Sequence, residues 1–257
     1  MMPLNLRIIS CNVMWRELCY YASQSKNRFD FKFLPWGLHC DPNQLRREVR
    51  KAVEETPAGF DAILLGYGLC SKGVEGVSAG KTRLVITRAH DCITCFLGSK
   101  SRYREYFDAH PGTYWYTPGW IEDHPSPGKE RHEATYRSYL EKYGEDDARY
   151  LMEMEQGWFK EYSTAAYVDM GIGDADAYKA YTRECAEWLN WKYDELRGDG
   201  SLLRRFVDGD WDPGEFLVVE PGHHIEATND ENIIRAVPDS NAVQADQPPS
   251  RLDSQAG

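Results

Sequence analysis

The sequence predicts an α/β fold of Rossmann-like parallel sheets flanked by helices. Three observations lead there. Short apolar, β-branched runs recur at LRIISCNV, FDAILLGYG and RLVITRA, and runs of that length bounded by turn residues read as strands. Helical patterns lie between most of them, the order that builds βαβ units and a parallel sheet. The third run is nearly all apolar, as a strand buried on both faces must be.

The first strand, LRIISCNV, ends in Ser10, Cys11 and Asn12, and a helical pattern follows through Trp15, Leu18 and Cys19 to about Ala22. FDFKFL alternates as a strand does and ends in Pro35, Trp36, Gly37, Leu38, His39 and Cys40. Asp41 reads as an N-cap and Pro42 as the first residue of a helix through Leu45, Val49 and Val53, because a carboxylate accepts from the free N–H groups of a first turn and proline has none to lose. FDAILLGYG and RLVITRA are the third and fourth strands. Residues 111–163 then read as an aromatic loop, PGTYWYTPGW, and a helical connection from about Glu130 to Tyr162.

The remainder repeats the order of the beginning. TAAYVDMG, a helix from about Asp174 to Leu189, LNWKYDE, SLLRRFVDG and EFLVVEPG follow one another, and the plan strand, turn, Leu/Arg-rich helix, strand occurs in both parts. This weak repeat suggests two pseudo-repeated halves, residues 1–110 and 164–228, facing one another. Residues 229–257 are polar and read as a disordered tail.

Composition excludes some partners. The 257-residue chain carries a net charge of −11, which disfavours a nucleic-acid partner because such binding rests on Lys and Arg neutralising phosphates. No apolar run is long enough to span a membrane, and the N-terminus lacks the charged and small-residue features of a signal peptide. The expected location is cytoplasmic. Seven cysteines, several at strand ends, fit reduced thiols better than a disulfide framework.

In an open parallel sheet, ligands bind beyond the carboxyl ends of the strands. That edge collects Cys11, His39 with Cys40, Cys70, and His90 with Asp91 and Cys92, one group from each of four strands. Thiolates and imidazoles are the ligands that zinc and iron–sulfur centres prefer. Cys11, Cys70 and Cys92 with His39 or His90 could therefore hold tetrahedral zinc, and three cysteines could hold a cluster; zinc is the first choice. Cys19 and Cys185, inside helical patterns, read as core thiols, and Cys92 with Cys95 forms a single CxxC of little weight. Gly66 and Gly68 permit close backbone approach, while Lys72 and Arg88, the latter beside His90, suit an anionic group of a ligand. Tyr114, Trp115, Tyr116 and Trp120 either wall a flat ligand or cover the sheet, the commoner use of aromatics. His223 and His224 would approach the cysteine edge if the halves face one another.

The stretches SCNVMWREL, GLHCDP, ILLGYGLCSKGVEG, LVITRAHDCITCFLGS, PGTYWYTPGW and FLVVEPG resemble an uncharacterised domain-of-unknown-function family of bacteria and archaea, most specifically through GYGLC and HDC. The resemblance covers about residues 5 to 225 and implies no settled activity. It maps the family's cysteines and histidine onto Cys11, His39, Cys70, His90 and Cys92. It also implies an association with corrinoid-dependent methyltransferases, near which members are often encoded. A cobalamin-binding Asp-x-His-x-x-Gly is absent.

These readings converge on a metal-binding protein that acts on a small-molecule substrate in one-carbon or methyl metabolism, with Cys70 as thiolate and His39 as its partner in catalysis. Two alternatives remain. One is a non-catalytic accessory that delivers metal or cofactor to a corrinoid protein or methyltransferase. The other is a metal-free cysteine enzyme using Cys70 with His39 or His90.

Overall fold

The computed structural model describes residues 2–239. The chain starts with β1 (Asn5–Cys11), α1 (Trp15–Gln24), β2 (Arg28–Leu34), α2 (Pro42–Glu54), β3 (Ala62–Gly66) and β4 (Leu84–Thr87). Next come α3 (Ile93–Leu97), α4 (Lys100–Ala109), β5 (Thr113–Tyr116), α5 (Pro118–Asp123), α6 (Lys129–Tyr143) and α7 (Glu145–Gln156). The described part closes with β6 (Thr164–Asp169), α8 (Ala175–Leu189), β7 (Lys192–Arg197), α9 (Ser201–Asp208), β8 (Phe216–Val219), β9 (His223–Ala227) and β10 (Ile234–Pro238).

The fold is the α/β arrangement the sequence predicts, with parallel sheets flanked by helices. The first sheet has the order β2-β1-β3-β4-β8, and β2, β1, β3 and β4 run parallel. Every residue of β3 and β4 is buried, which accounts for their unbroken apolar sequences. Each such Leu, Ile or Val contributes about 1.5–3 kcal/mol on removal from water. The α2 helix starts where expected, since Asp41 Oδ1 accepts from the N–H groups of Asn43 at 2.9 Å and Gln44 at 3.2 Å. Its Leu45, Val49, Ala52 and Val53 are buried.

The strand order places a switch point at the carboxyl ends of β1 and β3, where connections leave toward opposite edges and a crevice opens. Ser10 stands opposite Gly66 and Cys11 opposite Leu34, so β1, β2 and β3 end level. Gly66 is required there, because a Cβ would collide with the Ser10 side chain, whose hydroxyl donates to the Gly66 carbonyl at 3.0 Å.

A second, three-stranded parallel sheet has the order β5-β6-β7, with α8 packed on β6 and β7. Its presence corrects several expectations. TYWY, read as part of a loop, is β5; its flanking prolines and glycines mark the ends of an edge strand. The helical stretch after it divides into α6 and α7, parted by Gly144 at φ +83°. FLVV, assigned to the second half, is β8 and pairs antiparallel with β4 of the first sheet. The preceding α9 already packs on α1 and α3, so the chain emerges beside the free edge of β4. Strand, helix and strand therefore follow one another as in the apparent repeat, but the last strand returns to the other sheet in the opposite direction.

Antiparallel β8 ends level with the start of β4, with Val219 opposite Leu84. His223 and His224 consequently lie at the far edge from the cysteines, where His224 Nδ1 meets Asp239 at 2.9 Å. Part of the expected tail is ordered as β10, which pairs with β9; residues 240–257 lie outside those described. No helix among the described residues is long and apolar enough to cross a membrane.

The two sheets meet through α5. A Cβ on Gly119 would enter the Val13 carbonyl just after β1. Gly119→Ala should therefore cost about 1–3 kcal/mol by overpacking, read as a lower melting temperature. Gly157→Ala, with nothing within 4 Å of its Cβ, should change stability by less than about 0.5 kcal/mol. Equal melting temperatures for the two variants would contradict this packing.

Candidate functional site

The parallel pairing of β3 with β4 continues past both strands into their turns. Leu69 N–H donates to the Ala89 carbonyl at 2.8 Å and Cys70 N–H to the His90 carbonyl at 2.9 Å. Gly68 makes the approach possible, because a Cβ there would lie 2.7 Å from the Asp91 backbone. Cys70, Ser71 and Lys72 then take φ values of +46°, +55° and +68°. Three successive non-glycine residues in the left-handed region cost about 1–2 kcal/mol each, and strain of this kind gathers at functional sites.

The turns meet β1 and β2 at a cavity of about 610 Å³. On one side stand His39, Cys70, Asp91 and Cys92; on the other, Tyr114, Trp115, Trp120 and Tyr162, with His90 and Lys72 also lining it. A volume of this order suits a small molecule. A larger, more open hollow of about 950 Å³ lies at the carboxyl ends of β6 and β7. It contains no thiol or imidazole, and Lys179 already pairs with two of the carboxylates there, Asp169 and Glu195, at 2.8 Å each. The smaller cavity is the candidate site.

At its base His39 Nε2 lies 3.1 Å from Cys11 Sγ. Cys11 is 1% exposed, and burial is the main reason its thiol is pushed up to about 12, with Asp123 adding and the Val13 and Asn12 N–H groups opposing. Burial also lowers the His39 pKa. Cys70 is raised by burial and then by Cys11, and Cys92 by burial and then by Cys70, Asp91 and Cys11. Cys11, Cys70 and Cys92 are thus close enough for their charges to interact. With no cation present all three are neutral thiols at pH 7, since both burial and mutual repulsion disfavour thiolate.

Asp91 does not orient an imidazole. Its carboxylate accepts from Tyr103 Oη at 2.9 Å and Ile93 N–H at 3.0 Å. The chain turns into α3 at this point rather than staying extended, so His90, Asp91 and Cys92 all reach the cavity. His90 is exposed at the rim, apart from the buried thiols. Arg88, expected to meet an anion, points elsewhere: its guanidinium donates to the carbonyls of Pro213 at 2.8 Å, Asn232 at 3.2 Å and Ile234. It ties the segment before β8 and the start of β10 to the end of β4. Gly66 and Gly68 act by close packing, and Lys72 is exposed at the mouth. The CxxC is divided, with Cys95 buried in the core beside Thr87. Cys40 is exposed, and Cys185 sits in the core of the second sheet with Tyr116.

Sequence reasoning missed a polar cluster behind the Cys11–His39 pair. Among the described residues the Tyr67 hydroxyl is buried without a partner, and it lies close enough to Cys11 and Cys70 for both to raise its pKa after burial. Among the same described residues Trp36 Nε1 and both His124 ring nitrogens are likewise buried without a hydrogen bond. His124 stacks on Trp36 with ring centroids 3.6 Å apart, and both rings pack against Trp120, which also faces His39 at 6.5 Å. The one available signal was the repeated pairing of tryptophan with histidine in the turns after β2 and β5.

Fold and site together define an α/β protein whose strand-end cavity joins thiols and an imidazole to an aromatic wall. A family model described as "Protein of unknown function (DUF1638)" matches residues 33–207, and the chain belongs to that family. The match contains His39, Cys70, His90 and Cys92, while Cys11 precedes it. No curated protein and no solved structure matches the chain. Among the described residues no group of three or more His, Cys, Asp and Glu side chains is already arranged to hold a metal ion.

Burial, then the Arg131 charge, lowers His124 to about 4. A histidine whose folded pKa lies below its unfolded value of about 6.5 contributes fully above that value and loses the contribution as pH falls toward the folded pKa. His124→Phe keeps a ring against Trp36 and removes the titration. The drop in melting temperature between about pH 7 and pH 4.5 should be smaller in the variant than in the wild type; an equal drop would contradict the burial assigned to His124.

Proposed function

We infer that Cys11, Cys70 and Cys92 with His39 hold a thiophilic metal, zinc first and an iron–sulfur centre second, and present it to a small molecule in the cavity. The observation that carries this reading is the state of the thiols. Cys11 and Cys70 are buried and Cys92 is half-buried; burial raises all three, and neighbouring thiols raise Cys70 and Cys92 further, so they are poor nucleophiles as they stand, because reactivity belongs to the thiolate. A bound cation reverses this, since metal binding deprotonates its thiol ligands.

The donor set suits zinc or an iron–sulfur centre, although it forms no ready-made cage. Binding and the final convergence of the ligands are then one event. When bound, the metal supplies Lewis-acid or thiolate activation at Cys70. The protein supplies the remainder: His39 holds Cys11 in place, the left-handed turn aims Cys70 at the cavity, and Trp115 and Trp120 exclude water from it. The resemblance to proteins encoded beside corrinoid methyltransferases supports a one-carbon or methyl group as the cargo and a corrinoid protein or methyltransferase as the partner.

The test is elemental analysis with a visible spectrum of protein purified without oxygen. The expected result is about one zinc per chain, or iron with charge-transfer absorption, lost in Cys70→Ser and Cys92→Ser and retained in Cys185→Ser. Wild-type protein without metal, or serine variants with full metal, would overturn the reading. Bound metal that passes to a partner apoprotein without turnover of any substrate would mark an accessory protein instead of an enzyme.

A further inference from the structure

The cavity has two chemically distinct sides. One is aromatic: Tyr114, Trp115, Trp120 and Tyr162 line it from β5 and beyond, and Trp120 Nε1 donates to Tyr114 Oη at 3.2 Å, which fixes two of the rings relative to each other. Trp115 is held from behind by Tyr106, with ring centroids 5.0 Å apart. Rings braced in this way offer a ligand a rigid face at little entropic cost.

The other side is a turn of unusual electrostatics in a chain of net charge −11. Lys72 and Ser71 are exposed at the mouth and line the cavity. Arg46 from α2 lies against the same turn, donating to the Lys72 carbonyl at 2.8 Å. The three left-handed residues form the mirror image of the first turn of an α-helix, whose leading N–H groups all leave by one end. Among the described residues, the Ser71 and Lys72 N–H groups make no hydrogen bond within the chain. Successive free N–H groups beside a lysine make an anion-binding concavity. The acidic group of the cavity, Asp91, is turned toward Tyr103 and Ile93, which hold its two oxygens.

We propose that the cavity binds a small planar organic anion, an aromatic or heteroaromatic carboxylate, with its ring against Trp115 and Trp120 and its carboxylate on the Ser71–Lys72 turn. This rests on the proposed function in one respect only: the thiol cluster at the base of the cavity is the group such a ligand would meet. Cavity volume is compatible with the class, since about 610 Å³ accommodates a ligand of one or two fused rings. The strained turn acquires a reason, because a left-handed arrangement of these three residues is what points the free N–H groups and Cys70 to the same space.

The experiment is calorimetric titration and tryptophan-fluorescence quenching of the full chain with three probes. Benzoate carries both features, benzamide the ring without the charge, and cyclohexanecarboxylate the charge without the flat ring. Benzoate should bind saturably, and each control should bind at least about tenfold more weakly, since each loses one half of the recognition. Lys72→Ala should weaken benzoate about tenfold or more while leaving benzamide unchanged, and Trp115→Leu should weaken benzoate and benzamide alike. Lys72 is a surface residue, so its variant tests the idea even if the Trp115 variant fails to fold. Equal binding of all three probes, no saturable binding of benzoate, or a Lys72→Ala variant of unchanged affinity would each overturn the proposal. Metal content is measured on the same samples: metal without benzoate binding sinks this inference alone, and benzoate binding without metal sinks only the metal reading.

Discussion

The contact between the turns that follow β3 and β4 is the constraint on which the site depends. Two backbone hydrogen bonds and the bare Cα of Gly68 against Asp91 carry the parallel pairing beyond the strands. Without that contact Cys70 and Cys92 belong to separate loops. With it they share one cavity wall, and the left-handed run from Cys70 to Lys72 follows directly after the close approach. The sheet order places the ends of β1 and β2 beside this junction, which is how Cys11 and His39 reach it.

Burial sets the chemistry. A thiol buried beside Tyr67 is desolvated, and a second thiol nearby makes ionisation harder still. Their raised pKa values separate these thiols from an ordinary catalytic cysteine, whose pKa is lowered by its surroundings. The second sheet takes part by supplying the aromatic wall. Its β5 and α5 hold Tyr114, Trp115 and Trp120 over the thiols, and Gly119 lets α5 press on the backbone just after β1. The two sheets are therefore joined at the site itself.

Much of this was legible in the sequence, for physical reasons. Strands buried on both faces have no polar alternation, so β1, β3 and β4 stand out, and the rule that ligands gather at carboxyl ends then selects Cys11, His39, Cys70 and Cys92. Other features leave no such trace. FLVV reads the same whether it pairs parallel or antiparallel, and only the position of α9 on α1 and α3 decides. TYWY between Pro/Gly turns has the composition of a loop. Arg88 stands two residues from His90, a spacing that puts both on one face only while a strand continues; β4 ends at Thr87, and the guanidinium goes instead to the carbonyls of Pro213, Asn232 and Ile234. The left-handed turn falls on Cys, Ser and Lys, residues that give no warning of positive φ, whereas the glycines around it serve close packing. His124 and Trp36 reach the site only through tertiary packing.

The central claim is that thiols from β1 and from the β3 and β4 turns act on one ion. X-ray absorption at the zinc edge of zinc-loaded protein tests it most directly. Two or three sulfur scatterers at about 2.3 Å with one nitrogen at about 2.0 Å are predicted, with sulfur lost stepwise in Cys11→Ser and Cys92→Ser. A shell of oxygen and nitrogen alone, or a sulfur count unchanged by both substitutions, would contradict the account.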